Sequence, residues 1–184
     1  CREGVPIYRH AEGRDVAELC DNIRKYRAQG ITHVRCQAGG YGGGAFGNAP
    51  GSAPAGSPDG VYLDSKKYMR ETLKMFDRIR AEIGFDVALC HDVHERRRPN
   101  EAIRVACELE TYDLFVLEQA IALEEGEWLR QLREKTTIPL AQGELFNHPF
   151  EWKMLIADRL IDYIRVHLSQ IGGITPARKL QIFA

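Results

Sequence analysis

Residues 86–94 read Asp86-Val87-Ala88-Leu89-Cys90-His91-Asp92-Val93-His94, a short apolar run that closes on an acid. Two later stretches have the same form: Leu114-Phe115-Val116-Leu117-Glu118 and Pro139-Leu140-Ala141-Gln142-Gly143-Glu144. Continuous apolar runs of this length are what a strand buried on both faces needs, as in a parallel sheet covered by helices. The three acids are spaced by 26 and 26 residues. One strand–helix unit takes about that length in an α/β fold.

Working outward, strand and helix alternate about six times. The first apolar run is Val5-Pro6-Ile7-Tyr8, followed by a helix over 15–29 that Gly30 ends and a strand over 32–37. A helix is expected over 65–83, where Tyr68, Leu73, Phe76 and Ile79 recur at helical spacing and Gly84 is the stop. Strands over 86–93, 114–118, 139–144 and 161–168 then alternate with helices over 99–110, 127–134 and 150–157. Thr175-Pro176 opens a last helix with the cap-then-proline pattern.

This order argues for a parallel sheet with helical crossovers. An open sheet gathers its ligand near few strands, whereas a barrel points every strand end at one mouth. Ionisable residues mark five successive strand ends: Arg35, Asp92, Glu118, Glu144, and Arg165 with His167. The expected fold is therefore α/β, a TIM-type (β/α) barrel. Six units do not close eight strands, so residues 1–184 are expected to be one partial barrel domain of a longer protein. The stretch 38–60 holds nine glycines and three prolines at the expected mouth, where barrel enzymes keep lids. Its Gly42-Gly43-Gly44 run lacks the Lys-Ser/Thr of a phosphate loop.

The remaining composition excludes more than it selects. Net charge is −1, and no basic excess points to nucleic acid. No run of 18 apolar residues suggests a membrane span. Five cysteines at wide spacings, with no C-x-x-C, fit reduced thiols in a cytoplasmic protein. Cys36 and Cys90 lie in expected strands as buried, inert thiols.

Three carboxylates converging on one mouth repel one another unless a cation sits among them. An all-oxygen donor set suits Mg²⁺ rather than zinc or copper. Asp92, Glu118 and Glu144 are thus the candidate metal ligands. His94 follows Asp92 by two residues, so strand alternation places both on one side. A histidine there is a candidate general acid or base. His91 points the other way and reads as structural.

The stretches His91-Asp92-Val93-His94-Glu95-Arg96, Leu117-Glu118-Gln119, Gly143-Glu144-Leu145-Phe146-Asn147 and Ile161-Asp162-Tyr163-Ile164-Arg165-Val166-His167, with Ser169-Gln170-Ile171-Gly172-Gly173-Ile174-Thr175-Pro176-Ala177-Arg178, closely resemble the enolase superfamily. Within it they resemble the mannonate dehydratase group, which includes starvation-sensing relatives. The resemblance implies a Mg²⁺-dependent acid-sugar dehydratase, most like D-mannonate dehydratase, which loses water through an enediolate and yields a 2-keto-3-deoxy sugar acid. It implies that Asp92, Glu118 and Glu144 bind Mg²⁺ and that His94 protonates the departing hydroxyl. It implies that Arg35, with a loop tyrosine, takes the α-proton, and that Arg165 lies in the substrate pocket, where His167 and Gln37 join it. The loop tyrosine has its nearest counterparts in Tyr41 and Phe46; Tyr41 is assigned the role, since Phe46 has no proton to exchange. Gln119 stands where the family usually carries an acid. The capping domain and last barrel strands of the family are absent from the chain. The expected partner is a small sugar acid, with neither nucleic acid nor membrane, and the full-length protein is expected to be a homo-oligomer. Two other readings stay open: another dehydratase or epimerase of the superfamily, or a non-catalytic, regulatory sugar-acid binder.

Overall fold

A computed structural model describes residues 4–38, 55–56 and 64–184. Among them, strands and helices alternate: β1 (Arg9–Gly13), α1 (Val16–Ala28), β2 (His33–Ala38), α2 (Ser65–Ile83), β3 (Ala88–Asp92), α3 (Pro99–Leu109), β4 (Leu114–Glu118), α4 (Gly126–Lys135), β5 (Leu140–Gln142), α5 (Pro149–Ala157), β6 (Tyr163–Ile164) and α6 (Ile174–Phe183). The strands form one sheet in the order β1-β2-β3-β4-β5-β6. Neighbouring pairs are parallel, with Arg9 opposite Val34, His33 opposite Ala88, Leu117 opposite Leu140 and Ala141 opposite Tyr163. Contacts divide the chain into two compact units, 1–92 with 111–115, and 93–110 with 116–184.

In the first unit, α2 shows how sequence becomes packing. Asp64 caps its start by accepting from Lys67 N at 2.9 Å, and Gly84, with φ 80°, ends it in a conformation that favours glycine. Tyr68, Met69, Thr72, Met75, Phe76, Ile79, Arg80 and Ile83 are its buried residues, a stripe at helical spacing. Full burial of each large apolar side chain contributes about 1.5–3 kcal/mol. Arg80 is the exception on that stripe. Its guanidinium donates to the carbonyls of Tyr112 (2.8 Å), Gly84 (3.0 Å), Val87 (2.9 Å) and Asp113 (2.9 Å). Burial lowers its pKa from the ordinary arginine value. These carbonyls belong to residues just ahead of β3 and β4, so one buried cation ties down two strand entries.

The second unit uses anions in the same place. Glu110 Oε1 accepts from Thr136 Oγ1 (3.1 Å), Thr137 N (2.6 Å) and Thr137 Oγ1 (3.0 Å), just ahead of β5. Asp162 Oδ2, ahead of β6, accepts from Leu140 N at 2.8 Å and Arg133 Nη1 at 2.6 Å. The core here includes Leu117, Ile121, Leu129, Leu132, Phe146 and Leu155.

The chain differs from the sequence expectations at its ends. Val5 and Ile7 are exposed and precede the first strand, which is β1 at Arg9–Gly13. Proline at 6 withholds the donor a ladder needs. The buried positions of β1 are instead the small Ala11 and Gly13. A Cβ on Gly13 would lie 2.5 Å from Leu19 N, so only glycine lets α1 follow this strand so closely. β5 and β6 have three and two residues, shorter than their apolar runs. The last helix starts at Ile174 behind Gly173 (φ 107°), so Thr175-Pro176 lies inside its first turn. No helix among the described residues is long and apolar enough to cross a membrane.

Candidate metal centre

The first unit holds a buried charge pair between Asp92, the last residue of β3, and Arg35, which lies within β2 and not at its end as the sequence suggested. Arg35 and Asp92 are each nearly inaccessible, and Arg35 Nη2 lies 3.3 Å from Asp92 Oδ2. Arg35 Nη2 also donates to Gln37 Oε1 at 3.0 Å, and its Nη1 is 3.5 Å from His10 Nε2. Arg35 and Gln37 share a face of β2 because they are two residues apart. His91 points elsewhere, as expected. Its Nε2 meets the Tyr68 hydroxyl at 2.8 Å, with the Phe76 ring edge-on at 5.4 Å between centroids.

The second unit holds the other two acids. Arg165 Nη1 lies 2.9 Å from Glu118 Oε1 and 2.6 Å from Glu144 Oε2, so one guanidinium nitrogen stands between two carboxylates. Chain continuity fixes where Asp92 enters: the next residue, Val93, donates its N–H to the Glu118 carbonyl at 2.9 Å. One carboxylate oxygen from each of Asp92, Glu118 and Glu144 lies within 4.8 Å of the other two. Two like charges at about 4 Å repel by roughly 4 kcal/mol at an effective dielectric near 20. Three acids, two of them buried, therefore need positive charge close by. Arg35 and Arg165 supply it here, and a hard divalent cation fits the same all-oxygen donor set.

The backbone around this cluster is unusual. His94 and Glu95 both have φ 56°, and Gln119, directly after Glu118, has φ 47°. Each such non-glycine residue costs of order 1–3 kcal/mol and persists only where its surroundings over-determine it. Gly143, just ahead of Glu144, has φ 126°, and a Cβ there would meet the Phe146 ring at 2.6 Å and Arg165 O at 3.0 Å. The fully buried Phe146 and the bond from Gln170 Nε2 to Asn147 Oδ1 (2.9 Å) pin the turn that carries Glu144.

These contacts give the Gly143–Asn147 and Ser169–Arg178 stretches a physical meaning. The chain belongs to the enolase C-terminal domain-like family. That family's model matches residues 18–184. The chain is 43% identical over 198 residues to a D-galactonate dehydratase family member of Salmonella enteritidis, covering all of this chain and 47% of that one. It is 40% identical to a D-mannonate dehydratase of Caulobacter, again over the whole chain and 47% of the relative. A crystal structure of an enolase from Pantoea ananatis, with D-gluconate and Mg bound, superposes with a TM-score of 0.91 at 42% identity. All of this chain and 48% of that one are covered. The chain thus spans about half the length of the curated relatives it matches. The parallel sheet with alternating helices is the TIM-barrel-like fold of this family.

Other expected site residues stand as follows. His167 is exposed, with Nδ1 2.7 Å from Ser169 Oγ. Tyr41, with nearly all of the 38–60 stretch, lies outside the described residues. Cys36 and Cys90 are buried, and burial pushes the Cys36 thiol up to about 12. Sequence reasoning missed Gln142. It is 1% exposed, and its Nε2 donates to Glu95 Oε1 (2.9 Å) and Ile121 O (3.0 Å). A polar residue inside the otherwise apolar run 138–142 was the available signal.

Proposed function

We propose that the full-length protein is a Mg²⁺-dependent acid-sugar dehydratase of the D-mannonate dehydratase type, forming a 2-keto-3-deoxy acid. The carboxylate cluster of Asp92, Glu118 and Glu144 at successive strand ends carries this reading. The D-mannonate dehydratase relative and the gluconate-and-Mg structure support it. The proton α to a carboxylate is too weakly acidic for a side-chain base alone. Mg²⁺ held by the three acids supplies the positive charge that stabilises the anion as that proton leaves.

The chain's own residues divide the remaining work. Arg35, buried beside Asp92, helps to take the α-proton with Tyr41 as its partner. His94, which follows Asp92 by two residues, gives its proton to the departing β-hydroxyl. Arg165, with His167 and Gln37, holds the sugar acid. A cation among the acids would neutralise Glu118 and Glu144 and leave the Arg165 guanidinium to pair with an anionic substrate.

The test is turnover by the full-length protein of a panel including D-mannonate, D-gluconate and D-galactonate, with Mg²⁺ and with chelator. Mg²⁺-dependent formation of a 2-keto-3-deoxy acid is expected, and Asp92→Asn should lower it by roughly 10³-fold or more. Binding of sugar acids without turnover of any of them would replace this reading with that of a non-catalytic binder.

A further inference from the structure

The turn after β3 is held more firmly than a connecting turn requires. His94 and Glu95 sit consecutively in the left-handed region, each at φ 56°. Residues with side chains visit that region singly and seldom, so two in a row need outside anchors. The anchors flank His94 on both sides. Val93 N donates to Glu118 O at 2.9 Å, and Glu95 N donates to Gln119 O at 2.8 Å. The third anchor is a side-chain pair, Gln142 Nε2 to Glu95 Oε1 at 2.9 Å. Gln142 is almost fully buried, its amide is also fixed on Ile121 O, and its own carbonyl accepts from Arg165 N at 3.2 Å. Gln142, at the end of β5, thus joins the segments that follow β3, β4 and β6.

We propose that Glu95 and Gln142 are positioning residues for His94, their hydrogen bond holding the double left-handed turn that presents its imidazole. This rests on the reading of His94 as the proton donor. Backbone bonds at 93 and 95 fix the two ends of the turn, and the bond from the buried Gln142 amide adds a side-chain anchor at Glu95. Without the pair, the turn relaxes toward ordinary φ and the imidazole swings with its Cα.

In the full-length protein with saturating Mg²⁺, Glu95→Ala and Gln142→Leu are each expected to lower kcat about 10–100-fold, since displacement of about 1 Å costs that much. KM should stay within about 3-fold, and the Mg²⁺ Kd measured by calorimetry should not move, because the bond removed runs between Glu95 and Gln142 and includes no acid of the cluster. Glu95→Gln keeps an acceptor oxygen for the Gln142 amide and should recover most of the loss. His94→Asn alone should cost about 10²–10⁴-fold, and adding Glu95→Ala to it should cost nothing more. Unchanged kcat in Glu95→Ala would overturn the proposal. So would a loss that multiplies with that of His94→Asn, or a parallel loss of Mg²⁺ affinity. A silent His94→Asn would instead overturn the proton-donor reading, and this inference with it. If Gln142→Leu does not fold, the Glu95 pair of variants decides alone.

Discussion

The two ends of the strands are built on opposite principles. Ahead of β3 and β4, Arg80 spends four hydrogen bonds on four carbonyls; ahead of β5, Glu110 takes three bonds from two threonines. These charges are matched to groups of opposite polarity and hold the strand entries. Left-handed residues occur at both ends: Asp113 (φ 47°) ahead of β4 and Arg159 (φ 53°) ahead of β6, and His94, Glu95 and Gln119 after the strands. What sets the far end apart is charge, since acids there stand near acids. Matched polar groups lower the energy of one structure, whereas crowded like charges raise it. The difference separates the end that stabilises this fold from the end that can bind and react.

Gly143→Ala should damage stability and metal binding together, because it strikes the acid-bearing end through the backbone. Alanine there would be held at φ 126°, with its Cβ 2.6 Å from the ring of fully buried Phe146. The ring has no exposed space to move into, so the turn carrying Glu144 must shift. We expect the full-length protein to lose roughly 2–3 kcal/mol of stability and at least about tenfold in Mg²⁺ affinity. Calorimetric titration with Mg²⁺ checks this. Wild-type affinity would show that the turn is not what places Glu144.

Arg80→Met probes the other end and should give the reverse split. Methionine fills the space of the stem but leaves four carbonyls without their donor. An unsatisfied buried polar group costs about 1–3 kcal/mol, and because neighbouring losses do not add, roughly 3 kcal/mol is expected in denaturant unfolding. The Mg²⁺ Kd and kcat of the folded fraction should match wild type. A change in kcat would mean that the two ends are coupled through the strands.

Much of this division was legible in the residues, and for different reasons at the two ends. The acids at 92, 118 and 144 stand out because each interrupts an apolar run at a regular interval, and convergence follows from topology. Gly84 and Gly30 mark helix stops because few other residues take a positive φ cheaply. Arg80 was not legible: it lies on the apolar stripe of α2, and its partners are backbone carbonyls, which carry no side-chain signature. Gln142 hid likewise inside an apolar run. The paired φ of His94 and Glu95 comes with bonds to Glu118 and Gln119, one strand on in sequence, and to Gln142, two strands on. Val5-Pro6-Ile7-Tyr8 misled because it is apolar without being packed, while Ala11 and Gly13, too small to look like a core, are what β1 buries.

The smallest effect expected is also the one with a definite pH signature. Glu110 sits at the surface, yet the Thr137 N–H, then the Thr137 and Thr136 hydroxyls, hold its carboxyl below the ordinary glutamate value. A folded-state pKa below the unfolded one means that the bonds to the carboxylate stabilise the fold fully at any pH above the unfolded value. That contribution fades only as pH falls through the folded value. It is therefore constant from pH 7 down to about 5 and declines below the usual glutamate range of about 4.3. Glu110→Gln keeps an oxygen for the same three donors but has no charge to lose. Urea unfolding of the two proteins should show wild type the more stable at pH 7, with the gap narrowing below about pH 4.5. Taking the difference cancels every other carboxylate common to both. A gap that stayed constant to pH 3 would mean that the threonine contacts stabilise through shape alone, and that the charge of Glu110 contributes nothing to the entry of β5.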